Sequence, residues 1–253
     1  MAGELTRAGV IKIDDDFAGY SLESFLVPQH YSEDLEHVLI PHGLLCDRVE
    51  RMALDILSSY PPGEPVICVC ILKSAVGFFT ALTGALQRVN LLCHPGGRSS
   101  SEMYSLTSWD ENGIDQAHHN ATRPLFFEFI RVQSYMDDHS SGSVEIQGIM
   151  NMKASIQGKN TLIVEDMIDT GATMQKVLEQ FEAFDPKSLK VATLLRKRCP
   201  HGTGYMPDFV GFDIPDKFVV GFSIDYNQHF RDVPHLCVVN DNGKRKYASK
   251  QKV

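Results

Sequence analysis

Apolar positions along this chain arrive in two rhythms that alternate from one end to the other. Residues 66–72, V-I-C-V-C-I-L, form an unbroken apolar run, which predicts a strand buried on both faces of a parallel sheet. Residues 125–132, 161–164 and 189–195 have the same character, and shorter runs at 209–212, 218–224 and 235–239 predict further strands. Between them the period changes. Leu45, Val49, Met52 and Ile56 recur at helical spacing over residues 44–57, a second helix follows Ala75 to about Gln87, and Met174, Val177, Leu178 and Phe181 mark a third over about 172–184. Ser32 ahead of residues 33–39 predicts a short capped helix stopped by Pro41. Strands alternating with helices over most of the length predict an α/β fold with a mostly parallel, doubly wound sheet in one domain spanning residues 1–253.

Two stretches break the rhythm. Residues 94–123 are rich in Ser, Gly, Asn and His without a sustained period, and they contain the lone Trp109; they predict an exposed insertion. His94, His118 and His119 lie there at spacings that fit no metal-ligand pattern. Residues 133–159 are polar and glycine-containing, with Val144, Ile146 and Ile149 predicting a β-hairpin arm.

Composition narrows the class without choosing within it. A net charge of −8 argues against a general nucleic-acid or anionic-membrane surface. The beginning M-A-G-E-L-T-R-A-G-V has no basic segment followed by an apolar one, so no secretory signal is expected, and no apolar stretch reaches membrane-spanning length. The six cysteines, Cys46, Cys68, Cys70, Cys93, Cys199 and Cys237, include no C-x-x-C pair and read as reduced, mostly buried thiols, which predicts a cytoplasmic protein.

The chemistry concentrates in residues 160–173, N-T-L-I-V-E-D-M-I-D-T-G-A-T. A short apolar strand ends on Glu165 and Asp166, and Asp169, Thr170, Gly171 and Thr173 open a helix. Free N–H groups and the positive dipole end of a helix start make an anion site, to which threonine hydroxyls add donors. Adjacent acids would repel a bare phosphate, but they suit ribose hydroxyls or a magnesium ion. Together the parts predict a site for a sugar phosphate.

The form E-D-x-x-D-T-G-x-T resembles the phosphoribosyl pyrophosphate (PRPP) motif of the type I phosphoribosyltransferases in their hypoxanthine-guanine branch. The resemblance continues through P-x-H-Y-x-E-D-L at 28–35, I-P-H-G-L at 40–44, F-I-R-V-Q-S-Y at 129–135, P-D-F-V-G-F-D-I-P-D-K-F-V-V-G at 207–221 and F-R-D at 230–232. It implies the type I fold, with a small hood built from N- and C-terminal segments. It also implies transfer of 5-phosphoribosyl from PRPP to hypoxanthine or guanine, giving IMP or GMP and pyrophosphate, with Mg2+ as cofactor, no nucleic-acid or membrane partner, and a homodimer or homotetramer. A catalytically weak PRPP- or nucleotide-binding regulator on the same fold is the second reading.

Carried onto this sequence, the resemblance makes Asp169 the catalytic residue at purine N7, with a helix N-cap as its structural alternative. PRPP or nucleotide would be held by Lys73, Ser74, Ser134, Tyr135, Glu165, Asp166, Met167, Ile168, Thr170, Gly171, Ala172, Thr173 and Arg231. The purine would meet Lys197, Lys217, Phe218, Val219 and Asp225, and the metal Glu165, Asp166 and Asp225. Ser134 and Tyr135 would lie on a mobile lid at about 133–150. The sequence departs from the family at Ser74, where glycine is usual in a loop with a non-proline cis peptide, and at Ala172, where many relatives carry lysine.

Overall fold

The computed structural model describes residues 9–92, 122–134, 144–149 and 152–248. A seven-stranded sheet forms its centre. The strands are β1 (Ile11–Lys12), β3 (Val66–Leu72), β4 (Leu125–Ser134), β5 (Val144–Gln147), β6 (Asn160–Ile168), β7 (Ser188–Lys197) and β8 (Phe209–Ile214). They lie in the order β1-β8-β7-β6-β3-β4-β5, and every pairing is parallel except β4 with β5.

The central strands owe their unbroken apolar runs to burial on both faces. Along β3, Val66, Cys68 and Cys70 face one core cluster, while Ile67, Val69 and Ile71 face the other. The first cluster is covered by α1 (His42–Ser58) and α2 (Val76–Leu92). The second is covered by α4 (Ala172–Glu182), which follows the short α3 (Lys153–Ile156) and β6 in the chain. Buried Leu45, Val49, Met52 and Ile56 form the α1 stripe that the spacing predicts. Arg48 on the same stripe is buried too, donating to the carbonyls of Val210 and Gly211 on β8.

A second, three-stranded antiparallel sheet joins β2 (Leu35–Ile40), β10 (Leu236–Val239) and β9 (Val219–Val220). It is the hood of N- and C-terminal segments. Its own core gathers Tyr31, Leu35, Val38, Phe230 and Val233, and α5 (Asp241–Lys246) closes it. Asp34, fully buried, accepts from Asn242 Nδ2, Lys246 Nζ and the Tyr247 hydroxyl, which ties the C-terminal segment to the N-terminal one.

Four sequence expectations change. Residues 33–39 are not a capped helix: the Ser32 hydroxyl donates back to the Gln29 carbonyl, and 35–40 become β2 because β10 offers a pairing partner that local propensity cannot see. The strand predicted to stop at Glu165 runs on to Ile168, because Met167 and Ile168 continue the ladder against Leu195 and Arg196. The insertion expected to be exposed over 94–123 ends in buried chain: Arg123 donates to the Tyr60 carbonyl and its backbone bonds Asn90. The rest of that stretch up to 121, with Trp109 and its histidines, lies outside the described residues. The lid expected over 133–150 is in part a ladder, with Ser134 paired to Val144 and Gln133 to Glu145 as the predicted arm requires. Tyr135 and the tip between these strands lie outside the described residues.

All five described cysteines are free thiols, and Cys68, Cys70 and Cys237 are buried. No helix among the described residues is long and apolar enough to cross a membrane.

Within the hood, the ends of β9 and β10 meet in a close backbone approach. Gly221, at φ +99°, would place a Cβ 2.0 Å from the His235 carbonyl oxygen. Gly221→Ala therefore combines a left-handed backbone with a clash against main chain, and it is expected to cost roughly 3 kcal/mol, read as a lower urea midpoint. Gly43→Ala, on α1 with nothing within 4 Å of the added carbon, is the control and is expected to be neutral or stabilising.

Candidate functional site

The connections after β3 and β6 leave in opposite directions. β3 feeds α2 on one face and continues to β4, whereas β6 feeds α4 on the other face and continues to β7. Adjacent parallel strands whose crossovers diverge in this way open a crevice at their carboxyl ends, the usual ligand position in such sheets. A cavity of about 350 Å³ occupies that place. Its walls come from the end of β3 (Leu72, Ser74), the end of β6 from Glu165 onward, the start of α4 with Gly171 and Thr173, and Asp225.

The turn from β6 into α4 has the predicted anion-site geometry. Gly171, at φ +85°, is the N-cap and has no side chain to cap the helix, although the Ala172 N–H reaches Thr170 Oγ1 at 3.4 Å. The structural alternative for Asp169, an N-cap, therefore fails. Thr170 and Thr173 lie beside the first turn on the cavity wall, while Ala172 is exposed. A Cβ on Gly171 would fall 2.8 Å from Thr203 Oγ1 and from Tyr205 Cβ, and the Thr203 N–H donates to the Thr170 carbonyl at 2.8 Å. The chain after β7 thus braces the turn from behind, and only glycine fits between.

Glu165 and Asp166 stand at the cavity wall, Asp166 buried and Glu165 partly so. Burial first, and then the neighbouring Asp166 carboxyl, hold the Glu165 pKa well above the ordinary carboxylate range.

Asp169 is half exposed just past β6, and Lys197 Nζ lies 3.6 Å from its Oδ2. Lys197 ends β7, and its side chain retains 9% of its accessible surface. A second, adjoining space of about 280 Å³ runs past Asp169, Thr170 and Lys197. Nearby, Phe218 is 40% exposed, with its ring edge-on to Tyr226 at 5.0 Å between centroids, and its carbonyl accepts from Val239 N–H. Val219 is buried on β9, and Lys217 Nζ donates to the Phe17 carbonyl.

Across the crevice, Asp225 sits in a loop where Phe222, Ser223, Asn227, Gln228 and Phe230 all have positive φ. Such a concentration of left-handed non-glycine residues marks a functional loop held by its surroundings. Asp225 Oδ1 pairs with Arg231 at 2.7 Å, Oδ2 accepts from Gln228 N–H, and Arg231 also donates to the Ser223 carbonyl. Gly77 on α2 fixes this loop to the end of β3, since a Cβ there would meet Ser223 Oγ at 2.5 Å and the Phe222 carbonyl at 2.7 Å. The Leu72–Lys73 peptide is cis, as the resemblance implies for this loop. Ser74 faces the cavity, Ala75 is buried beneath it, and Lys73 is exposed at the turn.

The sequence reading thus assembled Ser74, Glu165 through Gly171, Thr173 and Asp225 around one cavity, with Lys197 joined to it through Asp169. It missed Gly77, whose lack of a side chain is the only sign of its role. It also missed Asp216, which lies 3.6 Å from Lys197 Nζ inside a quoted motif.

Comparison with known proteins agrees with this architecture. The phosphoribosyl transferase domain family matches residues 39–227. The chain is a member of that family, and so carries the type I phosphoribosyltransferase fold. Within it, the chain belongs with the hypoxanthine-guanine phosphoribosyltransferases. The human protein of that name is 43% identical over 242 residues, covering 96% of this chain and 98% of the relative, and the mouse protein is 42% identical over the same length. The crystal structure of hypoxanthine-guanine phosphoribosyltransferase from Schistosoma mansoni in complex with IMP superposes with a TM-score of 0.68 at 32% identity, covering 95% of this chain and all of that one.

The strained acid pair makes a testable demand on stability. A carboxylate whose folded pKa is raised destabilises the fold increasingly as pH climbs from its unfolded value through the folded one. Glu165→Gln is therefore expected to stabilise the unliganded protein at pH 7–8, on the order of 1 kcal/mol. The gain should vanish near pH 4, where wild-type Glu165 is itself protonated. Thermal melts across this pH range read both.

Proposed function

We propose that this chain transfers 5-phosphoribosyl from PRPP to N9 of hypoxanthine or guanine, releasing pyrophosphate and forming IMP or GMP. The observation that carries this reading is the meeting, at one switch-point crevice, of a glycine-capped helix start, an acid pair and the Asp169–Lys197 ion pair. A phosphate, a ribose diol and a 6-oxopurine are the ligand parts that match these groups in turn.

The 5′-phosphate belongs at the start of α4, with backbone donors from residues 169–173 and the Thr170 and Thr173 hydroxyls. Glu165 and Asp166 take the ribose 2′ and 3′ hydroxyls, with Met167 and Ile168 carrying the main chain between the two groups. Ser74, with Lys73 beside it, faces the diphosphate, and Arg231 offers it a fork of donors. The purine stacks on exposed Phe218, with the carbonyl of Val219 available to the 2-amino group of guanine and Lys217 beside them. An ammonium has donors only, so Lys197 accepts a 6-oxo group and disfavours the amino group of adenine.

In the transfer, the lone pair of N9 forms a bond to the anomeric carbon as the bond to the diphosphate oxygen breaks. That electron pair leaves with the diphosphate, and the N7 proton passes to Asp169. Ser134 and Tyr135 belong to the segment that would cover the site and exclude water.

The acid pair also fits a hard cation, because it presents only oxygen donors at the cavity wall. No group of three metal-ligating side chains stands together among the described residues. Glu165 and Asp166 would therefore be partial ligands to one Mg2+ at the ribose hydroxyls, and Asp225 to a second near the diphosphate, with substrate oxygens and water completing each shell. When bound, the ion supplies positive charge to the departing diphosphate.

Five free thiols support a cytoplasmic setting. Exposed Phe126, Phe127 and Phe129 on β4 support a homodimer or homotetramer. Light scattering is expected to give a mass of at least two chains, falling to one in a Phe126→Glu, Phe129→Glu double variant.

The direct test is pyrophosphate release from PRPP and magnesium with hypoxanthine, guanine or adenine. Turnover is expected with the two 6-oxopurines and not with adenine, and Asp169→Asn is expected to lower kcat by roughly 10²–10⁴. Binding of PRPP without turnover of any base would instead assign the chain to regulation.

A further inference from the structure

Lys197 sits between two carboxylates. Its Nζ is 3.6 Å from Asp169 Oδ2 and 3.6 Å from Asp216 Oδ1. These are ion-pair separations longer than a hydrogen bond, so the ammonium protons are committed to neither partner. The side chain of Lys197 is nearly buried at 9% exposure, while those of Asp169 and Asp216 are half exposed at 50% and 51%. A nearly buried ammonium facing a single carboxylate would close onto it, because the attraction grows as water is excluded. Here two opposed carboxylates hold it midway.

The arrangement is built by strand register. Lys197 is the last residue of β7, paired with Ile214 at the end of β8, and Asp216 lies two residues further on after Pro215. The flanking Arg196 and Arg198 point the other way, and both bind Asp213. Asp216 therefore answers to Lys197 alone among these three basic residues.

We propose that Asp216 is a positioning residue that keeps Lys197 directed at the 6-oxo group and frees Asp169 for the N7 proton. This rests on the transferase reading above. With Asp216 present, the three side chains carry a net charge of −1 before transfer. When N7–H gives its proton to Asp169, they become a neutral acid beside a balanced Lys197–Asp216 pair. Without Asp216 the same step leaves the nearly buried ammonium unbalanced, and before the step Lys197 and Asp169 occupy each other. Asp216 touches no reacting atom. It acts through Lys197 on both base recognition and the proton step.

The experiment compares wild type, Asp216→Asn, Asp216→Glu, Lys197→Met and the Asp216→Asn, Lys197→Met double variant. IMP and AMP binding are read by calorimetry, and hypoxanthine turnover by pyrophosphate release. Asp216→Asn is expected to weaken IMP binding and to lower kcat/KM for hypoxanthine about tenfold, as for loss of one charged partner at a binding site. The preference for IMP over AMP shrinks with it, and KM for PRPP stays within about twofold. Asp216→Glu restores most of the loss. In the Lys197→Met background, Asp216→Asn adds nothing, because residues acting through one contact are not additive.

Losses that add in the double variant, or IMP binding within about twofold of wild type in Asp216→Asn, overturn the proposal, since partners in one network couple by more than that. Wild type that binds IMP but turns over no base defeats the transferase reading, while the same binding comparison still decides the role of Asp216. Wild type that binds no IMP overturns both.

Discussion

The divergence of two crossovers beside one pair of strands governs this molecule. β3 and β6 are hydrogen-bonded neighbours, yet their following helices lie on opposite faces of the sheet. No helix can then cover the carboxyl ends of both strands, and the gap becomes the crevice. The groups with chemistry to offer stand around it: the turn after β3, the acids and the glycine turn after β6, and Lys197 at the end of β7. The loop after β9 adds Asp225 from outside the sheet. Gly221 against the His235 carbonyl holds β9 and β10 together, and Gly77 against the Phe222 loop seats that loop on α2.

The crevice keeps several groups in arrangements that suit a ligand better than the empty fold. Glu165 is held near a second acid with its pKa raised, and the Asp225 loop places five non-glycine residues at positive φ. Both are sustained by packing elsewhere, chiefly by the double-faced core of β3 and β6. The surrounding ion pairs follow the same logic. Asp225 and Arg231 neutralise each other within one loop, and Lys197 is shared between Asp169 and Asp216.

Much of this was legible along the chain. The central strands announced themselves because burial on both faces leaves no polar positions, and α1 did so because its buried stripe recurs at helical spacing. The E-D-x-x-D-T-G-x-T string was readable because its chemistry is local: acids, a left-handed glycine and hydroxyls within one turn. Residues 35–40 were misread for the opposite reason. Their identity as a strand comes from β10, which lies near the other end of the chain. The N-cap alternative for Asp169 fails because the cap is Gly171, which Thr203 and Tyr205 brace from behind. Arg123 looked like the end of an exposed stretch and is buried, because the Tyr60 carbonyl accepts its guanidinium.

By itself, then, the sequence determined which segments are strands and helices wherever their burial is periodic, and which short strings resemble a phosphate- and sugar-binding motif. It also carried enough co-linear motif to mark the family. The tertiary structure decided which side chains meet: Lys197 with Asp216, Asp225 with Arg231, Gly77 with the Phe222 loop. The physical reason is range. Backbone propensity and apolar period act over a few residues and are written locally. A Coulombic pair or a close backbone contact depends on strand register and crossover direction, which exist only once distant segments have packed.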